Sequence, residues 1–324
     1  MESKNHLKSW VYLAPALIIL GVFTFYPLVN TIFLSFQEGY NALQAQNGVT
    51  FNWGFANFQT VLDWSTPQGL LFYKALINTS IIVFITVPVS TLLALLISVA
   101  LNSIKPLQKI LQTIYFLPYI TNTLAIAAVF AVIFQSSGKG MVSTAGVLNN
   151  ILAWLHLPEV DWLNGTNFRE LIPGTGIGID PAGLTVICVY DIWAGLPFKI
   201  LILLGALQSV NKQCYEAAKI DSTPKRRVLW KITVPLISPM ISYLMITGFI
   251  GAFKEYTTVV GLFGDGMGNN RNMITIVGFI YQFIDGDKYA GSYGVASAAS
   301  LVLLVIIMIF TALNFYLGKK RVHF

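Results

Sequence analysis

Six long runs of apolar residues dominate the chain, and shorter polar segments separate them. A helix needs about 20 consecutive apolar residues to cross the hydrocarbon core of a bilayer. Each run reaches that length, so the pattern predicts an all-α membrane protein with six transmembrane helices. The runs are roughly Trp10–Phe36, Leu76–Leu101, Leu107–Phe134, Leu184–Leu207, Leu236–Phe263 and Tyr293–Leu317.

The polar segment 209–235, between the fourth and fifth runs, has the pattern of two short helices. Strong helix formers fill the stretch Lys212–Ile220, and Glu216 and Lys219 lie about one turn apart, where opposite charges stabilise a helix. The first of the two helices is therefore predicted over Lys212–Ile220.

The second helix of this segment is predicted from its capping residues and its apolar spacing. Ser222 or Thr223 can cap a helix that has Pro224 at its first position. Pro235 is expected to end it, because the residue before a proline is pushed out of helical geometry. Residues three or four apart form one apolar face, namely Val228, Leu229 and Ile232.

Composition and charge fix the class of protein and its orientation. Only 10% of the 324 residues are charged, whereas a soluble domain has about 25%. Six spans place alternate polar segments on the same side of the membrane as the N-terminus, and these segments hold most of the 20 Lys and Arg residues. Basic residues concentrate on the cytoplasmic side of membrane proteins, so both termini and the segment 209–235 are predicted to be cytoplasmic. These residues include Lys225, Arg226, Arg227, Lys231, Lys319, Lys320 and Arg321.

Three features are not expected from the sequence, namely a separate soluble domain, a surface for nucleic acid and a metal site. The longest outer segments, 37–75 and 135–183, are too short for an independent domain, so residues 1–324 are predicted to form a single transmembrane domain. The net charge of +6 comes from the cytoplasmic bias, and no soluble domain carries a basic surface for nucleic acid. Three scattered histidines and two cysteines show no metal-ligand spacing, so no metal site is expected.

The segment Tyr215–Ser222, followed by nine residues and then Ile232–Pro235, resembles the EAA loop of permease subunits from ATP-driven importers. The family pattern is Glu-Ala-Ala, three residues, Gly, nine residues and Ile-x-Leu-Pro. Two positions depart from it, since Ser222 replaces the usual Gly and Val234 replaces Leu. The resemblance implies that the first helix docks in a groove of the ATPase subunit, where Glu216 meets a basic group. The coupling residues that it implies are Tyr215, Glu216, Ala217, Ala218, Ile220, Asp221 and Ser222.

Other elements of the chain occur in the order found in permeases for sugar uptake. They resemble the first of the two paired permeases, as in the maltose and glycerol-phosphate importers. Asn52–Phe58 is similar to the element F-x-G-L-x-N-[FY], and Ala75–Thr79 is similar to A-L-x-N-T. Leu13–Ala16 and Ile192–Phe198 resemble further parts of the family pattern. The resemblance implies a type I ABC importer permease fold in a bacterial inner membrane.

The same resemblance implies the partners of the chain. They are a second homologous permease, two ATPase subunits, an extracytoplasmic solute-binding protein and membrane lipid. The chain lacks the pattern G-x-x-x-x-G-K-[ST], so ATP and Mg are expected on the ATPase subunits. The chain itself is expected to hold no cofactor and no catalytic residue, and not to be an enzyme. Arg226, Arg227 and Lys231 could contact either the ATPase or anionic lipid headgroups.

Candidate residues of the substrate path are the polar and aromatic side chains within the runs. Charges inside a membrane are costly and usually face protein or water, and sugars present apolar faces that stack on aromatic rings. An opposite-charge pair between Lys254 or Glu255 and Asp191 or Lys199 is a possible arrangement. Structural packing and location at the interface are the alternatives for all of these residues. The candidates are Tyr119, Asp191, Trp193, Phe253, Lys254, Glu255 and Tyr256.

The sequence leaves four functions open. A sugar or oligosaccharide importer follows from the resemblance. An importer of phosphoesters would use Lys199 and Lys254, whereas a polyamine importer would use Asp191 and Glu255. A stand-alone secondary transporter would need internal repeats, and it would leave the EAA-like loop without a role.

Overall fold

A computed structural model of the chain describes residues 6–104, 108–136, 145–165, 167–285 and 289–319. Lys320 and Arg321, of the predicted cytoplasmic basic residues, lie outside this range. The helices are α1 (His6–Leu20), α2 (Tyr26–Phe36), α3 (Ala42–Gln46), α4 (Ala56–Leu62), α5 (Pro67–Ser103), α6 (Gln108–Ile120), α7 (Thr123–Ile133), α8 (Val147–Trp154), α9 (Pro181–Ser209), α10 (Lys212–Ile220), α11 (Lys225–Val228), α12 (Val234–Leu236), α13 (Ser238–Ala252), α14 (Thr257–Phe263), α15 (Ile276–Asp285) and α16 (Tyr293–Lys319). A short 3₁₀ turn, Asn269–Arg271, and an antiparallel hairpin of β1 (Arg169–Ile172) and β2 (Ile177–Ile179) complete the regular structure.

Four helices are long and apolar enough to cross a membrane, and two bent pairs bring the number of candidate spans to six. The continuous candidates are Lys8–Phe36, Pro67–Ser103, Pro181–Ser209 and Tyr293–Tyr316. The prediction of an all-α membrane protein is confirmed, and the described residues contain four to six candidate spans where six were predicted.

Two of the six predicted runs are interrupted in the structure. In the third run, α6 and α7 meet at 103°, and the Oδ1 atom of Asn122 accepts the N–H of Leu124 at 2.9 Å to cap α7. In the fifth run, a turn at 253–256 separates α13 from α14.

Two prolines are accommodated by widened helical turns. A π-turn at Gly21–Phe25 ends two residues before Pro27, and another at Leu229–Thr233 ends two residues before Pro235. Proline has no N–H and its ring clashes with the carbonyl four residues earlier, so a turn of wider spacing lets the helix continue. The prediction that Pro235 ends the helix is wrong, because the helix continues for one residue before the chain bends by 70°.

The contacts divide the chain into two compact units. The N-terminal unit contains residues 1–72 and 279–304, and the central unit contains 73–278 and 305–324, each as far as the structure describes them. The prediction of a single permease domain over 1–324 stays a prediction.

In the N-terminal unit, Asn57 fixes the end of the first candidate span. Its side chain is 2% exposed, and its Nδ2 atom donates to the carbonyls of Ser35 at 3.0 Å and Gln37 at 2.7 Å. Its Oδ1 atom accepts the N–H of Gly39 at 3.0 Å. Asn57 belongs to the element Asn52–Phe58, so that part of the family pattern has a structural role here.

In the central unit, the start of α15 is held by two side chains from α5. The Nδ2 atom of Asn78 donates to the carbonyls of Asn272 at 2.8 Å and Ile274 at 3.0 Å. The Oγ1 atom of Thr79 accepts the N–H of Ile276 at 3.0 Å. Both side chains are fully buried, so these bonds are shielded from water.

We expect Asn78→Ala to lower the free energy of unfolding by about 2–4 kcal/mol, because two buried carbonyls lose their donor. Asn269→Ala is the matched control, since Asn269 is exposed in the neighbouring segment. The midpoints of thermal unfolding of the purified protein would be compared. Equal midpoints for the two variants would contradict the role of Asn78.

The core of the central unit joins α5, α9 and α13. Leu203, Leu204 and Leu244 are at most 1% exposed within this core. The Oγ atom of Ser98 donates to the carbonyl of Ile200 at 3.2 Å, which ties α5 to α9. This packing positions the helices that line the candidate site.

Candidate functional site

The segment 209–235 forms the expected pair of short helices, and the first of them ends in a well-defined cap. Asn211 begins α10, since its Oδ1 atom accepts the N–H of Gln213 at 3.0 Å. At the other end, the N–H of Ser222 donates to the carbonyl of Lys219 at 3.0 Å, and the N–H of Thr223 donates to that of Ala218 at 2.9 Å. These two bonds form a Schellman motif, which requires a left-handed residue after the helix.

Ser222 occupies that left-handed position, with a φ of +52°. This is the position at which the EAA pattern usually has Gly, the residue that reaches left-handed dihedrals most freely. The loop therefore keeps the conformation that glycine would favour, although its residue is serine.

We expect Ser222→Gly to stabilise this turn locally by about 0.5–1 kcal/mol. The left-handed conformation costs about 1–2 kcal/mol for a residue with a Cβ atom, and the greater freedom of unfolded glycine offsets part of the gain. Amide hydrogen exchange at residues 218–223 should slow by roughly two- to fivefold. The control Thr223→Gly should speed exchange; slower exchange in both variants would contradict this explanation.

The predicted coupling residues divide between two faces of α10. Tyr215 and Ala218 face the protein: the Tyr215 hydroxyl lies 3.3 Å from the Oγ1 atom of Thr233, and Ala218 is only 5% exposed. In this structure Ala218 allows α10 to pack closely on its own chain and offers little surface to a partner. The exposed residues are Glu216, Ala217, Ile220, Asp221 and Ser222. Ile220 is 84% exposed, an unusual place for a large apolar side chain.

The second helix of the loop, α11, begins differently from the prediction. Pro224 is the N-cap of α11, not its first residue, and no side chain caps this helix. The predicted capping role of Ser222 or Thr223 is therefore wrong. The apolar face exists, because the residues on one side are partly buried, namely Val228, Leu229 and Ile232.

A cleft of about 350 Å³ lies in the central unit where the two interrupted helices meet α5 and α9. Interrupted helices commonly line substrate sites in transporters, because their free backbone groups face a cavity. Residues beside both breaks line the cleft, together with small residues of α9 and α13. The lining residues are Thr86, Val87, Ser90, Pro118, Tyr119, Thr121, Thr123, Ile126, Tyr190, Asp191, Ala194, Gly195, Lys199, Gly248, Gly251, Ala252, Glu255 and Thr258.

The charged groups of the cleft do not form the expected opposite-charge pair. The electrostatic neighbour of Asp191 is Glu255, a like charge. Lys199 is 8% exposed, and its Nζ atom donates to the Oγ atom of Ser90 and, at 3.4 Å, to the Val87 carbonyl. The prediction that Lys254 or Glu255 pairs with Asp191 or Lys199 is therefore wrong for this structure.

The Glu255 side chain has a second, local role. Its Oε1 atom accepts the N–H of Thr258 at 2.9 Å, so it satisfies a backbone donor in the first turn of α14. One carboxylate thus both stabilises the break between α13 and α14 and lines the cleft.

Three of the seven predicted path residues line the cleft, namely Tyr119, Asp191 and Glu255. Tyr119 is 51% exposed and stacks on Phe198, with ring centroids 5.7 Å apart.

The other four predicted path residues lie outside the lining. Phe253 is buried against Phe310 at 5.3 Å, and Trp193 packs on Phe130 at 5.2 Å. Lys254 is exposed and Tyr256 is partly buried, and neither lines the cleft.

Sequence reasoning missed most of the polar lining, because it consists of hydroxyl groups and glycines. Thr86, Ser90, Thr121 and Thr258 are common in membrane helices and carry no charge to attract attention. Thr121 and Thr258 lie beside the breaks in the helices, whereas Thr86 and Ser90 lie within the continuous α5 and had no such signal. In the described part of the chain, no three His, Cys, Asp or Glu residues are arranged to hold a metal ion.

Residues 90–323 match the family described as binding-protein-dependent transport system inner membrane component. The chain belongs to this family. The match includes α10, α11 and most of the cleft, and it confirms the family suggested by the loop and the flanking elements. Members of this family are inner membrane components of transport systems. The prediction that the chain is a membrane-bound transport subunit is therefore confirmed.

Curated relatives match nearly the whole chain. The lactose transport system permease protein LacF of Rhizobium radiobacter is 27% identical over 319 residues, which cover 97% of this chain and 95% of the relative. The arabinooligosaccharides transport system permease protein AraP of Halalkalibacterium halodurans is 28% identical, with coverage of 97% and 89%. The trehalose/maltose transport system permease protein MalF of Thermococcus litoralis is 26% identical, with coverage of 97% and 94%.

A solved structure supports the fold. A chain of a bacterial alginate ABC transporter, in complex with an alginate pentasaccharide-bound periplasmic protein, has a TM-score of 0.74 and 20% identity. The match covers 97% of this chain and 94% of that chain. The type I importer permease fold is therefore confirmed, and the roles of individual residues in the loop and the cleft stay predictions.

Proposed function

We propose that this chain is the permease subunit of an ATP-driven importer that carries a sugar or oligosaccharide delivered by an extracytoplasmic binding protein. The observation that supports the sugar is the match of 97% of the chain to permeases named for lactose, arabinooligosaccharide and trehalose or maltose transport. The cleft is consistent with such a solute, because it combines hydroxyl groups, carboxylates and an exposed aromatic ring.

The proposed assembly contains a second homologous permease and two ATPase subunits, which bind ATP and Mg. The exposed face of α10, with Glu216 and Ile220, supports ATPase docking, because a charge beside a large apolar side chain suits a groove on a partner. The chain itself then needs no cofactor and carries out no chemical reaction.

A path for mechanical coupling runs from α10 to the cleft. Tyr215 contacts Thr233 in the π-turn, and α12 leads through the 70° bend into α13. Gly248 and Gly251 of α13 line the cleft. A shift of α10 on ATP binding would therefore move one wall of the cleft, and the preference of ATP for one arrangement of the ATPase pair would supply the bias.

The alternatives receive unequal support. Asp191 and Glu255 in one cleft favour a polyamine as the second candidate, because they place two carboxylates near the solute. Lys199 supports a phosphoester less well, since its ammonium group is already hydrogen-bonded. Membership of a binding-protein-dependent family argues against a stand-alone secondary transporter.

Uptake by cells with and without the gene tests the solute class. Labelled lactose, trehalose, maltose, glycerol phosphate and spermidine would be compared, with the restored gene as the control. We expect loss of uptake for at least one saccharide and unchanged uptake of the other two classes. Loss of glycerol phosphate or spermidine uptake alone would overturn the sugar assignment.

The proposed orientation places both termini and the segment 209–235 in the cytoplasm. In a variant without Cys188 and Cys214, a cysteine at the exposed Ser65 should react with an impermeant reagent from outside. A cysteine at Lys225 should react only after the membrane is opened. The reverse labelling pattern would show that the orientation is wrong.

A further inference from the structure

We infer that the exposed basic side of 226–231 is a binding surface for the headgroups of anionic phospholipids. We call the set Arg226, Arg227, Trp230 and Lys231 the basic face. All four residues are exposed, and Trp230 is 47% exposed. The inference concerns lipid and holds whichever solute is carried.

The basic face is one side of an amphipathic segment. Arg226 and Trp230 are one turn apart, as are Arg227 and Lys231, so the four side chains share a side. On the opposite side, Thr233 is 5% exposed and its hydroxyl contacts Tyr215. The segment is thus held by its buried side and cannot turn the basic face inward.

The basic face itself contains no acidic residue. No Asp or Glu occurs in the sequence between Asp221 and Glu255. A surface with three positive charges and no carboxylate among them is complementary to an anionic partner. Each basic residue next to an anionic membrane strengthens binding by about fivefold.

The position of the face selects lipid over protein as that partner. Lys231 precedes the start of the spanning α13 by only seven residues, with one 70° bend between them. Trp230 stands among the charges, and tryptophan favours the level of the lipid headgroups because its ring is apolar and its N–H is polar. The Ile220 and Glu216 side of α10 remains available for the ATPase.

Native mass spectrometry of the full transporter tests the inference. Complexes would be purified from bilayers of phosphatidylcholine with about one third phosphatidylglycerol, and the retained phosphatidylglycerol would be counted. The test variant is Arg226→Gln/Arg227→Gln/Lys231→Gln. The matched control is Lys212→Gln/Lys219→Gln/Lys225→Gln, which removes three exposed charges from the same loop but not from the basic face.

We expect the test variant to retain at least tenfold less phosphatidylglycerol than the wild type, and the control to retain nearly the wild-type amount. Equal loss in both variants would overturn the inference, because loop charge in general would then attract the lipid. Unchanged lipid retention with loss of ATPase subunits from the test variant would also overturn it and would assign the face to the ATPase. A test variant that does not assemble would be replaced by the three single variants, each expected to lose about fivefold.

Discussion

Replacing Glu216 with lysine should separate the ATPase subunits from this permease while leaving its insertion in the membrane intact. Glu216 is exposed on α10, and the inward side of that helix is fixed by Tyr215 and Ala218. Loss of one partner of a buried charge pair costs about 2–5 kcal/mol, so affinity should fall by at least about thirtyfold. Retention of ATPase subunits during purification and ATP hydrolysis stimulated by the loaded binding protein would be measured.

Two further variants sharpen this test. Glu216→Gln removes the charge without adding repulsion, so its effect should be intermediate. Asp265→Lys makes the same change of charge at an exposed site outside the loop and should retain the ATPase normally. If Glu216→Lys also retained and stimulated the ATPase normally, α10 would not be the coupling element.

The second large effect is expected from the two carboxylates of the cleft. Asp191→Asn and Glu255→Gln keep the size of each side chain but weaken hydrogen bonds to a solute. A hydrogen bond to a charged group contributes about 1.5–3 kcal/mol, so uptake at low solute concentration should fall at least tenfold in each variant. Proteoliposomes with the complete transporter, at matched protein content, would give these rates.

The neighbour of Glu255 supplies the control. Lys254→Gln changes an exposed side chain that does not line the cleft, so uptake should equal that of the wild type. Equal loss in Lys254→Gln and Glu255→Gln would indicate damage to the turn between α13 and α14 and would remove the cleft from the transport path.

Hydrophobic patterning predicted the number of runs because the length of an apolar segment is a local property. It did not predict where a run changes direction, because the residues on both sides of the 103° bend between α6 and α7 together form one apolar run. Asn122 was the available signal, since an asparagine within an apolar run is a good N-cap and a poor interior residue. The turn after Ala252 had a weaker signal in the adjacent charges Lys254 and Glu255.

Only part of the candidate site could be predicted from the sequence, because the constraint on residue position differs between charged and aromatic side chains. Charged residues in an apolar run must face protein or water, and this constraint found Asp191 and Glu255. Aromatic residues have no such constraint, so Phe253 and Trp193 pack with other rings. The conformation of Ser222 follows from the position of glycine in the family pattern, because the helix end needs a left-handed residue whichever side chain is present.

The widened turns before Pro27 and Pro235 have a consequence for how the chain tolerates changes of length. A π-turn contains the equivalent of one additional residue, and one residue corresponds to about 100° of rotation in an α-helix. Removal of one residue from Leu229–Thr233 would restore ordinary α-helical spacing. Because each residue of the wide turn rotates the chain by less than about 100°, the helical segments on either side would keep nearly the same orientation. Deletion of a single residue at either turn would therefore leave the faces of the following helix almost unchanged, whereas deletion of a residue from a regular part of the same helices would rotate everything that follows by about 100°.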